Sequence, residues 1–308
     1  MNRKLLTQEV RKIGMSLGFD KIGFAKAEEL PEKNYLALWL EKGFHGQMTW
    51  MEQNFEKRTN PQKLVPRSST VISVALNYYR EAEREDGSVK ISRYAWGDDY
   101  HKVLKKKLKS FYLQVQELIP ELEGRYFVDT APISDKMWAV KSGIGWLGKH
   151  SNVITRDFGS WVFLGELVVN HEFDYDEEIG DFCGTCERCL TACPTDAIVE
   201  PYVVDSNKCI PYLTIELKSE NPIPAEFEGK MEGWVFGCDI CQDVCPWNIK
   251  FAQESKVEEF KERDFLVNPK SEEILNLREE EFLEIFRNNP VKRAKFEGLK
   301  RNTEFVTN

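Results

Sequence analysis

All eight cysteines of this 308-residue chain fall between Cys183 and Cys245, with none in the first 182 residues or the last 63. Two runs carry most of them: FCGTCERCLTACP at 182–194 and GCDICQDVCPW at 237–247. In a reducing compartment such confinement speaks for metal ligation over disulfides. A segment of this kind folds around an inorganic group, and the rest of the chain has to build its own core.

The spacing narrows the group. Cys183, Cys186, Cys189 and Cys193, followed by Pro194, form C-x2-C-x2-C-x3-C-P, the run of bacterial-type ferredoxins, in which the fourth cysteine ligates the other cluster of a pair. Three thiolates two residues apart wrap one cubane, and the proline turns the chain away. Cys209, Cys238, Cys241 and Cys245 complete the set, the last again followed by a proline, Pro246. If Cys245 returns to the first cluster, Cys183, Cys186, Cys189 and Cys245 make one site, and Cys193, Cys209, Cys238 and Cys241 the other. Eight thiolates then fill two 4Fe-4S clusters with none spare. Zinc more usually takes two separated C-x2-C pairs and would leave cysteines over. Two clusters at ferredoxin spacing form a wire for single electrons, and a wire needs a terminus.

The pattern of the remaining chain suggests three parts: residues 1–178, the cysteine-bearing 179–250, and a helical 251–308. In the first part Leu6, Val10, Ile13 and Leu17 line one face of a helix. DKIGFAK, STVISVALNYY, RYFVDT, SNVITR and SWVFLGELVVN read as strands. Residues 98–118 form a helix with Leu104, Leu108, Phe111, Val115 and Leu118 inward and KKKLK on a solvated back. Elements of uneven length predict an α+β or α/β sheet covered by helices. In the third part SEEILNLREEEFLEIF predicts one amphipathic helix with Ser271 as N-cap.

Other features exclude. No Gly-x-Gly-x-x-Gly follows a strand and no Walker pattern occurs, which argues against a dinucleotide or nucleoside-triphosphate fold. No stretch nears the roughly 18 apolar residues that span a bilayer, and MNRKLLTQEVRKIG lacks a secretory apolar core, so no membrane role and a cytoplasmic location are expected. A net charge of −9 argues against nonspecific nucleic-acid coating, since phosphate binding needs clustered Lys and Arg. One local exception is 287–301, where six basic residues face the single Glu297. The wire's terminus could be a flavin, a corrin or a directly reduced substrate. None of His45, His101, His150 or His171 sits in the Asp-x-His-x-x-Gly pattern that ligates a corrin cobalt.

The order of FEKRTNP, ISRYAWGDDYHKVL, YFVDTAPISDKMWAVKSGIGWLGKHSNVIT, GSWVFLGELV, CGTCERCLTACPTDAI, CIPYLTIE and GCDICQDVCPWN resembles the epoxyqueuosine reductase family from about residue 5 to the C-terminus. The resemblance implies a nitroreductase-like cobalamin-binding domain, a ferredoxin-like two-cluster module and a short helical C-terminal segment. It implies removal of the epoxide of epoxyqueuosine at the tRNA wobble position, leaving the alkene, with two electrons, two protons and release of water. An outside low-potential donor, tRNA as partner and a monomeric chain are expected with it.

The same resemblance implies Asp129 as proton donor. Its place at the end of an apolar strand predicts a raised carboxyl pKa, although an Asp there could instead cap the next segment. Cobalamin contacts implied are Arg58, Ser92, Asp129, Lys149, His150, Asn152, Val153 and Leu164. Some relatives carry cysteine at the Ser92 position, so its hydroxyl is not essential. Trp96, Trp138, Trp146 and Trp161 could wall the corrin or be core. PVKRAKFEGLKRN is the leading candidate for a tRNA-facing surface, or is a solvated helix. The rival readings are a cobalamin-dependent reductive dehalogenase and a non-enzymatic electron carrier.

Overall fold

Eight consecutive residues, Thr70–Asn77, are all buried, and their β-branched and apolar side chains suit a strand covered on both faces. In a computed structural model, which describes residues 2–307, this strand is central to a four-stranded antiparallel sheet. The spatial order is Lys21–Lys26, Thr70–Asn77, Val162–Val169, Gly124–Phe127. Alternation along Val162–Val169 separates two faces. Phe163, Leu167 and Val169 meet Val10, Leu104, Leu108 and Phe111 of the helices Arg3–Ser16 and Tyr100–Leu118. Val162, Leu164 and Val168 face the short helix Asp135–Lys141. The fold is α+β.

The helix expected over 98–118 starts at Tyr100, because the Asp99 side chain accepts from the His101 amide at 3.0 Å and caps it. Its inward residues Leu104, Leu108, Phe111 and Val115 are fully buried, each contributing about 1.5–3 kcal/mol. Lys105, Lys106 and Lys109 are exposed as predicted. Lys107 instead donates to the Leu17 carbonyl at 2.9 Å and closes the end of the first helix. Helix-on-sheet approach is close enough at Gly23 that a Cβ would lie 2.0 Å from the Ser142 carbonyl oxygen.

Two predicted elements differ. SNVITR supplies only the two-residue strand Val153–Ile154, paired with Trp146–Leu147. The single helix expected from Ser271 is two, Ser271–Leu275 and Glu279–Ile285, and the residue before the first is Lys270. Each restarts because a glutamate reaches back to a backbone amide: Glu273 accepts from Lys270 N and Glu281 from Arg278 N.

Segments distant in sequence share cores. Val89, Ile91, Ala95 and Trp96 pack with Val235 and Phe236 and with Leu266, Ile274, Phe282, Phe286 and Leu299. Trp234–Phe236 runs parallel to Lys90–Ile91. Buried Asn289 donates to the Ala95 and Gly97 carbonyls, and Asn302 to those of Thr214 and Val235. The last 60 residues therefore clamp residues 89–97 against the cysteine region, and 89–97 lead directly into the capped start of the Tyr100 helix.

Candidate active site and cluster module

Asp129 follows the Gly124–Phe127 strand in a left-handed conformation, φ +48°, within a tight turn closed by Thr130 N donating to Val128 O. That region is uncommon for a residue with a Cβ, although Asp tolerates it best. The turn aims the carboxylate at the start of the Tyr100–Leu118 helix. There Tyr100 Oη donates to Oδ2 at 2.7 Å and His101 Nε2 lies 3.0 Å from the same oxygen. His101 Nδ1 is in turn 2.8 Å from Asp99 Oδ1. Tyr100 is stacked between His101 and Phe163, centroids 4.0 and 4.2 Å away. Imidazole and phenol are thus fixed before any ligand arrives.

The expected raised pKa of Asp129 is corrected here. Burial pushes the carboxyl up, but donation from His101 and Tyr100 and their positive surroundings, Arg293 included, outweigh it and hold it below the ordinary carboxylate value. Its side chain is 54% exposed, which limits the burial effect. His101 moves the other way: burial lowers it, but the two carboxylates raise it to about 9, against a helix N-terminus that by itself disfavours a cation. The resting pair is a carboxylate and an imidazolium.

The face of the sheet toward Asp135–Lys141 carries further polar groups. Arg58 is buried and has no ion pair among the described residues; its Nε lacks a hydrogen-bond partner there, and its guanidinium lies 5.6 Å over Trp50. The surface salt bridge that sequence alone would suggest is not formed. Glu166, fully buried on the Val162–Val169 strand, was not anticipated; neither carboxyl oxygen has a partner among the described residues. Burial and the nearby Asp135 and Asp129 push it well above its ordinary value. Leu164 is half-buried two residues earlier on the same face. Asn152 accepts from Lys136 Nζ at 3.1 Å, and Val153 is buried beside Leu164.

Lys149 and His150 adjoin this face, His150 Nδ1 accepting from Asn152 N at 3.2 Å. They line a cavity of about 180 Å³ together with Cys183, Cys186, Cys189 and Cys245. Lys149 Nζ donates to Gly184 O at 2.8 Å. Burial lowers His150 to about 4, and its Nε2 has no partner among the described residues. The other cysteines form a second group. Burial raises Cys209 to about 12, with Cys193 adding to it, and raises Cys238 and Cys241 as well, with neighbouring cysteines adding to both. Among the described residues no three such side chains converge as a single metal ion would need; Cys183, Cys186, Cys189 and Cys245 instead line a cavity. That donor set fits two polynuclear clusters, because buried thiols crowded together are stable as thiolates only against positive iron.

Between the cluster loop and the sheet domain lies a knot that sequence reading missed. Asp239, between Cys238 and Cys241, is fully buried. It accepts from Ser92 Oγ, from Arg93 N at 2.9 Å and from Arg93 Nη1 at 3.2 Å. Arg84 stands 3.8 Å away. Gly237, at φ +67°, brings the loop so near that a Cβ would lie 2.7 Å from Ser92 Cβ. Ser92 is therefore committed to the loop that carries Cys238 and Cys241. The four tryptophans Trp96, Trp138, Trp146 and Trp161 are all core.

A positioned carboxylate at the mouth of a sheet domain, tied through a buried ionic knot to a double-cluster module, defines an iron–sulfur oxidoreductase. Residues 58–130 match the family described as epoxyqueuosine reductase QueG, and residues 182–248 a 4Fe-4S double cluster binding domain. The epoxyqueuosine reductase of Cellulophaga algicola is 47% identical over 96% of this chain and 96% of its own length. That of Leadbetterella byssophila is 48% identical over 97% and 98%. A crystal structure of a selenomethionine-labelled epoxyqueuosine reductase matches with TM-score 0.92, 31% identity and coverage of 98% of this chain and 81% of that one. One with an epoxyqueuosine-modified tRNA-Tyr stem loop matches with TM-score 0.90, 31% identity and 98% and 80% coverage. The chain belongs to the epoxyqueuosine reductase family.

Proposed function

We propose that this chain converts the epoxide of epoxyqueuosine in tRNA to the alkene of queuosine, with Asp129 delivering protons to the epoxide oxygen. The observation that supports the reading is the Asp129 turn: a carboxylate held in a left-handed conformation, half exposed, and backed by Tyr100 and His101. A Bacillus subtilis epoxyqueuosine reductase of TM-score 0.91 and 30% identity, covering 98% of this chain and 81% of that one, has been solved with its catalytic aspartate loop swung out of the active site. A loop aspartate of that kind is what the VDTAP turn presents.

The ligand sets follow the grouping of the thiols: Cys183, Cys186, Cys189 and Cys245 for one cluster, Cys193, Cys209, Cys238 and Cys241 for the other. When bound, the clusters and cobalamin supply single electrons and a low-valent cobalt for the cleavage of the C–O bonds. The protein's own share is binding and proton handling. Arg58, with a buried unpartnered Nε, is placed to donate to cobalamin's amide or phosphate oxygens, and Leu164 and Val153 give that face an apolar floor. Seating the modified base over Asp129 removes water from a half-exposed carboxyl and raises its proton affinity at the moment an alkoxide develops.

No helix among the described residues is long and apolar enough to cross a membrane, and the enzyme acts in the cytoplasm as a monomer fed by an external low-potential donor. The tRNA surface uses only part of the basic tail. Arg301 is spent on the carbonyls of Leu213, Leu217, Lys218 and Asn221, and Arg293 on Glu216. Exposed Lys292 and Lys295 remain.

The test is anaerobic purification, iron counting and a cobalamin-supplemented assay on an epoxyqueuosine stem loop with a low-potential reductant. About eight irons per chain are expected. Asp129→Asn is expected to keep the iron and lower kcat about 100- to 10,000-fold. Undiminished turnover by that variant removes Asp129 from the reaction, and zinc without iron removes the electron path.

A further inference from the structure

Reduction of an epoxide to an alkene, C–O–C plus two electrons and two protons giving C=C and water, places both protons on one oxygen. Asp129 must be reloaded between the two deliveries: it is a carboxylate at rest and carries one proton at most. Among the described residues, the only titratable group within hydrogen-bonding reach of it that holds a mobile proton near neutrality is His101, 3.0 Å from Oδ2; Tyr100 is also in reach, but burial and Asp129 push its phenol far above neutrality.

Resting on the epoxide reduction proposed above, we infer that His101 is the proton reservoir of the site, loading Asp129 once for each of the two protons that the oxygen receives. The Nε2 proton of the imidazolium moves to Asp129, and the carboxyl passes it to the alkoxide formed by cleavage of the first C–O bond. Neutral His101 takes a new proton from solvent, its side chain being 29% exposed. The second passage protonates the hydroxyl as the remaining C–O bond breaks and water leaves. Both electrons come from the established reductive chemistry, and neither residue changes its protonation over the cycle.

Geometry limits the imidazole to this task. Asp99, held in place as the cap of its own helix, binds Nδ1 at 2.8 Å, so Nδ1 keeps its proton and Nε2 is the nitrogen that exchanges. Stacking on Tyr100 prevents the ring from swinging away. The charged and titratable groups around the pair come from several elements; Arg58, Tyr94 and Glu166 stand on the Asp129 side. Asp99 and Tyr100 come from the same helix start, Asp129 and Asp135 from the turn and the helix after it, and Arg293 from the turn Pro290–Ala294, where it is tied to Glu216. Lys102 is turned to Asn288 Oδ1 at 2.6 Å. Two carboxylates thus face one imidazole with no cation against it, which keeps it charged through the neutral range.

The test is the pH dependence of single turnover by reduced, cobalamin-loaded enzyme on an epoxyqueuosine stem loop, for wild type, His101→Gln and Asp99→Asn. It is run alongside NMR titration of ring-labelled histidine in the oxidised protein. Wild type is expected to hold its rate up to the His101 titration near pH 9 and fall above it. His101→Gln is expected to lose on the order of 100-fold at pH 8 and to gain rate steadily as pH falls, since Asp129 must then be loaded from solvent. Asp99→Asn, which keeps the shape of the contact, is expected to move both the alkaline limb and the NMR titration to lower pH together. A His101→Gln profile parallel to wild type overturns the reservoir while leaving epoxide reduction standing, because wild-type conversion is measured in the same series. An NMR titration near the ordinary histidine value also overturns it. No conversion by wild type at any pH overturns both readings.

Discussion

The acid corner and the cysteine module solve opposite problems. In the acid corner Asp99, His101, Tyr100 and the Asp129 carboxylate form an unbroken hydrogen-bonded chain. Around the cysteines, thiols face one another, Cys189 and Cys245 buried and the others half-buried, and burial raises Cys189 to about 11 and Cys209 to about 12. The first site is complete as folded. The second is a donor set whose stability depends on iron, and its binding energy is therefore folding energy. The acid corner is ordered by its own side chains, whereas the cysteine loops are ordered by the cluster they would hold.

Removing a cluster ligand should break this contrast most sharply. Cys241→Ser is expected to abolish turnover and remove about half of roughly eight irons, while the His101 titration keeps its value; iron analysis with histidine NMR decides it. A shifted His101 would show that the acid corner is not independent of the module. Next is the knot between them. Asp239→Ala leaves half-buried Arg84 without its carboxylate and Arg93 with Asp243 alone and is expected to cost about 1.5–3 kcal/mol, read by denaturant unfolding of the loaded protein. A cost under about 1 kcal/mol would mean that the two halves are joined mainly by the shared apolar core around Trp96.

Smaller effects sharpen the acid side. Arg58→Gln removes a charged donor, about 1.5–3 kcal/mol, and should weaken cobalamin retention about tenfold or more without loss of iron. Retention equal to wild type would place the cofactor away from this face. Tyr100→Phe removes one neutral-donor bond to Asp129, about 0.5–1.5 kcal/mol, and should raise the carboxyl titration. Stability carries the same signature with opposite signs. The raised pKa of His101 stabilises the fold fully below about pH 6.5 and that contribution is lost as pH rises through about 9. The depressed Asp129 stabilises it above its ordinary carboxylate value and the contribution is lost as pH falls below it.

Much of this was legible in residue order. The strands KIGFAK and TVISVALN are dense in apolar residues over a short length, so periodicity alone placed them. The helix after Asp99 has a five-residue apolar stripe that admits one face inward. SEEILNLREEEFLEIF misled because its apolar spacing continues across Asn276–Arg278, where two glutamates each prefer to cap a new helix. Arg58 and Ser92 are polar by residue type, yet both are buried. The acidity of Asp129 was misjudged for a related reason: position at the end of a strand suggested burial, while the donors that reverse its shift come from residues 28 and 29 positions earlier. GDDYH carried a signal, since an aspartate cap two residues before a histidine puts a carboxylate on the imidazole.

Sequence by itself determined that eight thiolates within 63 positions must be held together, because their spacing suits cubane corners and no other partner is at hand. It determined as well the apolar faces that make the sheet and its helices. Only tertiary structure decided the direction of each pKa and the link between the halves. Those depend on distances between residues far apart in the chain, such as Asp239 on Ser92 and Asp129 on His101, and electrostatic energy in a partly buried site changes steeply over a few ångströms.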